Sequence, residues 1–528
     1  MRNKPYPTYT GIELKEDFFS ILSYCSEQYG DRNAISFRIN KSIEKRTFNQ
    51  LLTDSLKLAS YISSFGLKSK NIAIISPNSY EWIVTFFAIQ FCGNIVVPIN
   101  HNIPDEEIRA LLSKVDASAA FAAKKQSILH DLCAVFDIDS IIQNAEKMEC
   151  YQEISASNEP SMIFFTSGST GKNKGVMLTQ QNICFDVFSM TKYCYPHDVN
   201  KAIQTLPFYH TLGLSTFIYY LLHGMETFIE SSTRHLVKDL KEVSPSVSTW
   251  VPAFAEGIYN NILRTIDSPR KKFLYILIKA ICNVLLWIGI DVRRRAFHKI
   301  HEKLGGNLKF ICCGGARIRE KIVKEFRAWG IYIMPGYGIT ECSPVISATR
   351  NYYWRDGSVG LVLPGISVKI SSDGEILVKG RNLFSGYYGD EQSTRDVFDS
   401  EGWFKTGDIG HLDKDGFLYI TGRKKKIILL SSGENISPDE LVEKLSDFFP
   451  EIIEVIVFDE ENKIVAEAFV DNDESKNAVS SGLTSFNRTL SPDRRIHEIR
   501  FRNYAFSSAN NEKVKRTYMG AGKNVREN

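Results

Sequence analysis

Asn71-Ile72-Ala73-Ile74-Ile75-Ser76, the span from Tyr80 to Cys92, and Ile95-Val96-Val97-Pro98-Ile99 are three consecutive apolar segments whose order decides the fold class. The first and third read as short buried strands, and the middle one as an apolar helix ended by Gly93. Together they make a βαβ unit. Downstream, Pro104 followed by Asp105-Glu106-Glu107 opens another helix, with proline near its start and acids in its first turn. The alternation recurs at Lys309-Phe310-Ile311-Cys312, a short strand before Gly314-Gly315 and the helical stretch from Arg319 to Trp329. Such alternation predicts an α/β body with parallel sheet content.

After Val359 the texture changes to short strands separated by Gly, Asp and Ser turns: Val368–Ile370, Glu375–Val378, and Phe417–Ile420 behind the Asp415-Gly416 turn. These predict a β-rich subdomain over about 359–421. Beyond Gly422 come a basic stretch, two helical patterns and two weak strands, enough for a separate α+β domain of roughly a hundred residues. The main boundary is placed near Thr421, giving residues 1–421 and 422–528. The expected fold class is α/β, a large N-terminal domain of layered βαβ-type sheets with a smaller C-terminal domain.

Composition supports this division. A chain of 528 residues exceeds the size at which one core stops growing. Its 43% hydrophobic and 24% charged residues are those of an ordinary globular protein. A net charge of +3 creates no field that would attract nucleic acid, so no nucleic-acid partner is expected. The ten cysteines are scattered without a C-x-x-C pair, which fits a reducing cytoplasm and no structural zinc. The opening Met1-Arg2-Asn3-Lys4-Pro5 leads into no apolar run, so no secretory signal is expected and the chain is read as starting at Met1.

Thr166-Ser167-Gly168-Ser169-Thr170-Gly171-Lys172-Asn173-Lys174-Gly175 follows the apolar run Met162–Phe165. Glycines let backbone N–H groups approach an anion, hydroxyls add donors, and Lys172 or Lys174 adds charge, so the loop can wrap phosphates. It fails the Walker template, because two residues rather than four separate Gly168 from Gly171-Lys172. Taken alone, such a loop is more often a surface turn.

Further motifs change that balance. Thr166–Gly175 resembles the phosphate loop of the adenylate-forming (AMP-binding) enzyme superfamily, T-S-G-[ST]-T-G-x-P-K-G, with Asn173 in place of the proline. Since that proline stiffens the loop rather than donating to phosphate, its loss is expected to affect mobility more than chemistry. Leu206-Pro207-Phe208-Tyr209-His210 resembles the family's acyl-pocket segment, and Gly314-Gly315-Ala316 the turn lining the adenine. Tyr337-Gly338-Ile339-Thr340-Glu341 is similar to the nucleotide and magnesium motif. Trp403–Asp408 and Gly422-Arg423-Lys424-Lys425 are similar to the ribose and hinge motifs. The motifs occur in the family's order, most like that of long-chain fatty acyl-CoA synthetases, which the segment Phe297–Ala316 also resembles.

The resemblance implies an ATP-dependent ligase that activates a fatty acid as acyl-AMP, releases pyrophosphate, and transfers the acyl group to CoA. The chemistry forces one anion onto the α-phosphate of another, so the site must neutralise charge and hold both reactants in line. Thr166, Ser167, Gly168, Ser169, Thr170, Gly171 and Lys174 are expected to hold the phosphates. Glu341 is expected to hold Mg²⁺, which prefers carboxylate oxygen, and Thr340 to donate to the α-phosphate. Gly315, Ala316, Tyr337 and Gly338 are placed around adenine, with Asp408 and Arg423 on the ribose. His210 is a pocket candidate with an equally good structural reading.

In the C-terminal domain, Ser437 as N-cap, Pro438 at N1 and Glu440 at N3 predict a capping box. The resemblance places Ser432, Gly433 and Glu434 on the loop that enters the site for thioester formation. It puts Lys425 at the hinge of a mobile lid domain, where a plain solvated basic run is the other reading. Near the C-terminus, Ser508–Arg516 is the best match to the family's catalytic-lysine motif. Lys513 is then the adenylation lysine, with Glu512 where glycine is usual and Lys515 as a substitute. Asp413-Lys414-Asp415-Gly416 is a hairpin turn rather than a calcium loop, because Gly422 stands where a bidentate Glu is needed.

Phe273 to Ile290 is almost unbroken apolar sequence, interrupted by Lys279 and Asn283 on one helix face and flanked by Arg270–Lys272 and Arg293–Arg295. A spanning helix would split a folded α/β domain. Two readings stay open: a buried helix of the acyl wall, or a helix lying in a membrane surface with basic ends on anionic headgroups. Basic clusters at both ends favour the second, with residues 270–295 as a peripheral attachment to the inner membrane face. No carrier domain is present, so the acceptor thiol comes from CoA or a separate acyl carrier protein. An acyl-AMP ligase, or a nucleotide-binding partner without catalysis, are the competing readings. No G-x-S-x-G elbow supports a serine hydrolase.

Overall fold

The computed structural model describes residues 9–40, 42–123, 129–154, 158–167, 173–193, 199–230, 235–266, 268–424, 428–429, 435–460 and 463–504. Two sheets organise the N-terminal body. The first has nine strands, in the order 361–362, 345–348, 332–338, 310–313, 247–250, 201–204, 226–229, 33–39, 42–47. Its six inner strands are parallel, and antiparallel strands close both edges. The second has seven strands, in the order 386–387, 173–178, 162–167, 95–98, 71–75, 119–122, 134–137.

The βαβ unit is present as expected. Strands Asn71–Ile75 and Ile95–Pro98 pair in parallel, and helix Tyr80–Phe91 connects them. Ser79 caps this helix by accepting from the Trp82 N–H at 3.1 Å, and Gly93 at φ 71° follows its end. Eleven of its twelve residues are buried, as are eleven of the twelve in helix Thr211–Leu222 of the other sheet. A helix apolar on every side demands cover on every side, and these two receive it inside the protein. Phe208 joins the two layers, its ring 5.1 Å from Trp82 and 5.3 Å from Phe217. Each such large side chain contributes about 1.5–3 kcal/mol on full burial.

Strands Ile366–Ile370, Glu375–Gly380, Phe404–Leu412 and Leu418–Arg423 form a four-stranded sheet where the turn-rich sequence predicts one. By contacts the chain divides into one unit of Met1–Val368, Val378–Phe404 and Gly416–Leu418, and a second of Lys369–Leu377, Lys405–Asp415 and Tyr419–Asn528. The second unit is α+β. Strands Glu454–Glu460 and Lys463–Phe469 are antiparallel, and Glu498–Arg502 adds in parallel. Leu441 and Leu445 of helix Pro438–Phe448 and Val479 and Phe486 of helix Asp473–Asn487 fill the core beneath.

The capping box at Ser437 does not form. The helix starts at Pro438, but the Ser437 side chain makes no cap hydrogen bond and its buried Oγ has no partner among the described residues. Glu440, the other half of the box, is taken by Lys444 at 2.8 Å and Arg494 at 3.2 Å.

The segment around Phe273 forms helix Pro269–Trp287, with Ser268 accepting from the Lys271 N–H at 3.4 Å. It lies on the surface, and only Cys282 is buried. Tyr275 and Ile278 pack on the core, while Lys279 pairs with Glu325. Lys279 and Asn283 line one recess of about 350 Å³, so they share a face as their spacing predicts. The expected basic cluster at 293–295 needs correction. Arg293 is buried, with Nη2 2.7 Å from Asp291 and 2.8 Å from the Tyr332 hydroxyl. Arg294 donates to the carbonyls of Leu308 and Gly306, which leaves only Arg295 exposed. Among the described residues no helix is long and apolar enough to cross a membrane.

Candidate active site

In parallel sheets, ligands bind beyond the carboxyl ends of the strands. Three of the predicted motifs sit there on the nine-stranded sheet. Residues 206–210 follow strand Lys201–Gln204, residues 314–316 follow Phe310–Cys313, and residues 337–341 end strand Tyr332–Gly338. Gly315 has φ 82°, a left-handed conformation that suits glycine, and Ala316 beside it is exposed. Tyr337 pairs in register with Ser347. A Cβ on Gly338 would lie 1.9 Å from the Pro344 carbonyl oxygen, so only glycine fits. Thr340 and Glu341 then begin a short 3₁₀ turn, Thr340–Cys342.

The phosphate-loop residues join two antiparallel strands, Met162–Ser167 and Asn173–Leu178, with Thr166 opposite Lys174. Gly168, Ser169, Thr170 and Gly171 lie outside the described residues, as does the Ser167 side chain. Asn173 does more than replace a proline. Its amide donates to Glu107 Oε1 at 3.0 Å, and Lys114 donates to its carbonyl at 2.6 Å. Helix Asp105–Lys114 therefore holds the loop's exit from both ends, restoring by hydrogen bonds what ring rigidity would supply.

A short edge strand links the two sheets. Gly386–Tyr387 pairs with Asn173–Leu178, Tyr387 facing Val176. The Tyr387 hydroxyl donates to Glu341 Oε1 at 2.8 Å, while the Lys174 ammonium lies 4.3 Å from the centre of its ring. Burial and the Glu341 carboxylate push the Tyr387 pKa upward, which keeps the hydroxyl a donor. The Phe384 N–H donates to the Glu341 carbonyl at 2.9 Å. No described residue takes Glu341 Oε2. A magnesium ion held by one carboxylate together with substrate phosphates needs such an oxygen, so Glu341 fits the metal expected there.

Two residues that sequence reading missed brace this turn. Asp186, buried on helix Gln180–Tyr193, accepts from the Val345 N–H at 3.3 Å, and burial raises its pKa well above the carboxylate range. Asn382 donates to the Cys342 carbonyl at 3.0 Å. Neither shows a motif, because each acts across more than thirty residues of sequence. His210 is the N-cap residue of helix Thr211–Leu222 without a side-chain cap bond, its ring 4.7 Å from that of Tyr209. Solvent reaches it, yet the protein around it lowers its pKa and favours the neutral imidazole.

In the second unit, Asp408 is buried and Arg423 is mostly exposed, with Nε 3.0 Å from Asp408 Oδ1. Glu375 accepts from the Gly407 N–H at 2.9 Å and from Lys424 at 2.7 Å, which holds the strand next to Asp408. Lys424 also binds Asp373 and, with Ser371, holds its pKa down to about 2. Lys425, Ser432, Gly433, Glu434 and Lys513 lie outside the described residues. Among the described residues no cluster of three His, Cys, Asp or Glu side chains could hold a metal.

The sequence and the fold were compared with known proteins. Residues 22–388 match the AMP-binding enzyme family. The long-chain-fatty-acid–CoA ligase FadD15 of Mycobacterium bovis is 30% identical over 414 residues, covering 71% of this chain and 68% of that one. The long-chain-fatty-acid–CoA ligase ACSBG1 of Rattus norvegicus is 27% identical over 525 residues, covering 88% and 72%. Among solved structures, the o-succinylbenzoate CoA synthetase of Bacillus subtilis in complex with its acyl-adenylate intermediate superposes with a TM-score of 0.75. It is 21% identical and covers 93% of this chain and 96% of its own, a likeness of fold. With most of its length matched, this chain belongs to the AMP-binding enzyme family.

Proposed function

We propose that this chain is an AMP-forming acid–thiol ligase that activates a medium- to long-chain fatty acid as acyl-AMP and transfers it to CoA. The observation that carries the reading is the joining of Lys174 and Glu341 through Tyr387, which sets a cation and a carboxylate at one tyrosine. The named activities of FadD15 and ACSBG1 support the fatty acid as substrate.

In this reading Thr166, Lys174 and the loop between them hold the ATP phosphates, and Thr340 donates to the α-phosphate. Magnesium, when bound at Glu341, offsets the charge of the departing pyrophosphate. Tyr337, Gly315 and Ala316 take the adenine, and Asp408 and Arg423 take the ribose hydroxyls. The fatty carboxylate attacks the α-phosphorus, pyrophosphate leaves, and Lys513 steadies the charge that develops. Residues 422–528 act as a lid hinged at Lys425 that brings Ser432, Gly433 and Glu434 to the site for the thiol step. His210 borders the acyl pocket.

The protein works in the cytoplasm, attached peripherally to a membrane through residues 270–295. Helix Pro269–Trp287 supports this attachment. Among the described residues, nine of the sixteen exposed large apolar side chains lie between Phe273 and Ile290. Arg270, Lys271 and Lys272 stand exposed at the helix start, and the helix carries no acid. Such a face suits anionic headgroups over acyl chains. Co-sedimentation with anionic liposomes at low salt tests the attachment, and absence of binding defeats it.

The catalytic reading is tested by pyrophosphate release with ATP, Mg²⁺ and acids of increasing chain length, with and without CoA. Turnover that rises with chain length and yields AMP and acyl-CoA is expected. Turnover that needs an acyl carrier protein instead of CoA moves the acceptor. No turnover with any acid leaves a nucleotide-binding partner and overturns the reading.

A further inference from the structure

We propose that Tyr387 is a positioning residue that sets the Lys174 ammonium and the Glu341 carboxylate relative to each other, so that phosphate and metal are bound as one unit. The inference rests on the reading of Glu341 as the magnesium ligand and names a further residue of that site. Three observations place Tyr387 in this role. Its strand is hydrogen-bonded to the strand that carries Lys174. Its hydroxyl occupies one oxygen of Glu341 and leaves the other without a partner among the described residues. Its ring seats the Lys174 ammonium, which forms no ion pair among the described residues and so keeps its charge for a phosphate.

The chain around Tyr387 is built to hold it still. Its N–H donates to Thr394 Oγ1 at 2.9 Å, and Phe384 packs edge-on against the ring at a centroid distance of 4.9 Å. Gly386 before it has φ 137°. A buried tyrosine hydroxyl needs some partner. Here the partner is the carboxylate on which metal binding depends, and the ring faces the cation of the opposing strand.

The test is calorimetric titration of the full chain with ATP, with and without MgCl₂, which reads binding without turnover. Tyr387→Phe keeps the ring and removes the hydroxyl. It is expected to leave metal-free ATP affinity within about twofold and to cut the gain that Mg²⁺ confers about tenfold, the order of one charge-assisted hydrogen bond. Tyr387→Leu is expected to weaken metal-free ATP binding roughly threefold as well, because Lys174 loses its seat. Phe384→Leu disturbs the same packing without touching the hydroxyl, and is expected to keep the full Mg²⁺ gain. Glu341→Gln is expected to abolish that gain. A Glu341→Gln protein that retains the gain overturns the metal reading and this inference together. Loss in Glu341→Gln with full retention in Tyr387→Phe overturns this inference alone, and so does equal loss in Phe384→Leu and Tyr387→Phe.

Discussion

Helices Tyr80–Phe91 and Pro269–Trp287 are both apolar sequences, and the protein gives them opposite fates. The first is buried over eleven of its twelve residues, and the second buries only Cys282. Helix Tyr80–Phe91 crosses between two neighbouring parallel strands, so the sheet covers one side of it and the next layer covers the other. Helix Pro269–Trp287 instead lies outside the strands, held to the body by Tyr275, Ile278, Cys282 and the Lys279–Glu325 pair. Apolar content measures the demand for burial. The fold decides whether the protein meets that demand or leaves it to another surface.

Four variants sharpen or break this contrast. Trp82→Ala removes a fully buried ring stacked on Phe86 and is expected to cost about 3–5 kcal/mol, read as a lower midpoint in urea unfolding. A loss below 1 kcal/mol would mean that the buried helix is loosely packed. Reversing Arg270, Lys271 and Lys272 to Glu is expected to weaken binding to anionic liposomes about a hundredfold, at roughly 1 kcal/mol per basic residue removed. Unchanged binding would show that the charges take no part.

Lys279→Ala leaves the mostly buried Glu325 carboxylate without its cation and is expected to cost about 1–3 kcal/mol in the same unfolding assay. No change would mean that Tyr275, Ile278 and Cys282 hold the helix without the pair. Trp287→Ala is expected to stay within about 0.5 kcal/mol of the parent, because the indole is 87% exposed. If Trp287→Ala destabilised as much as Trp82→Ala, the contrast between the two helices would fail.

Much of the N-terminal body was legible from local pattern. The βαβ unit, the acid-rich start of helix Asp105–Lys114 and the strand before Gly314 all appear where apolar runs, prolines and glycines place them. The candidate site was legible as ordered motifs, because Gly315 and Gly338 answer to backbone geometry that a residue type alone reports. The bracing of the site was not. Asp186 reaches Val345, Asn382 reaches Cys342, and Tyr387 reaches Glu341, all through contacts distant in sequence. Charge was misjudged for the same reason. Arg293 looked like part of an exposed basic cluster, yet Asp291 and Tyr332 compensate it in the interior. Ser437 had the right neighbours for a capping box, but its side chain makes no cap hydrogen bond.

The sequence by itself determined the class of fold and the order of the motifs, since hydrophobic period, turn residues and glycines act within a few positions of the chain. Only the tertiary structure decided which apolar helix is core and which is surface. It also decided which cations remain exposed, that Asn173 donates to Glu107, and that Tyr387 stands between Lys174 and Glu341. These outcomes depend on which partners the fold brings within hydrogen-bond distance from elsewhere in the chain, and no local pattern carries that information.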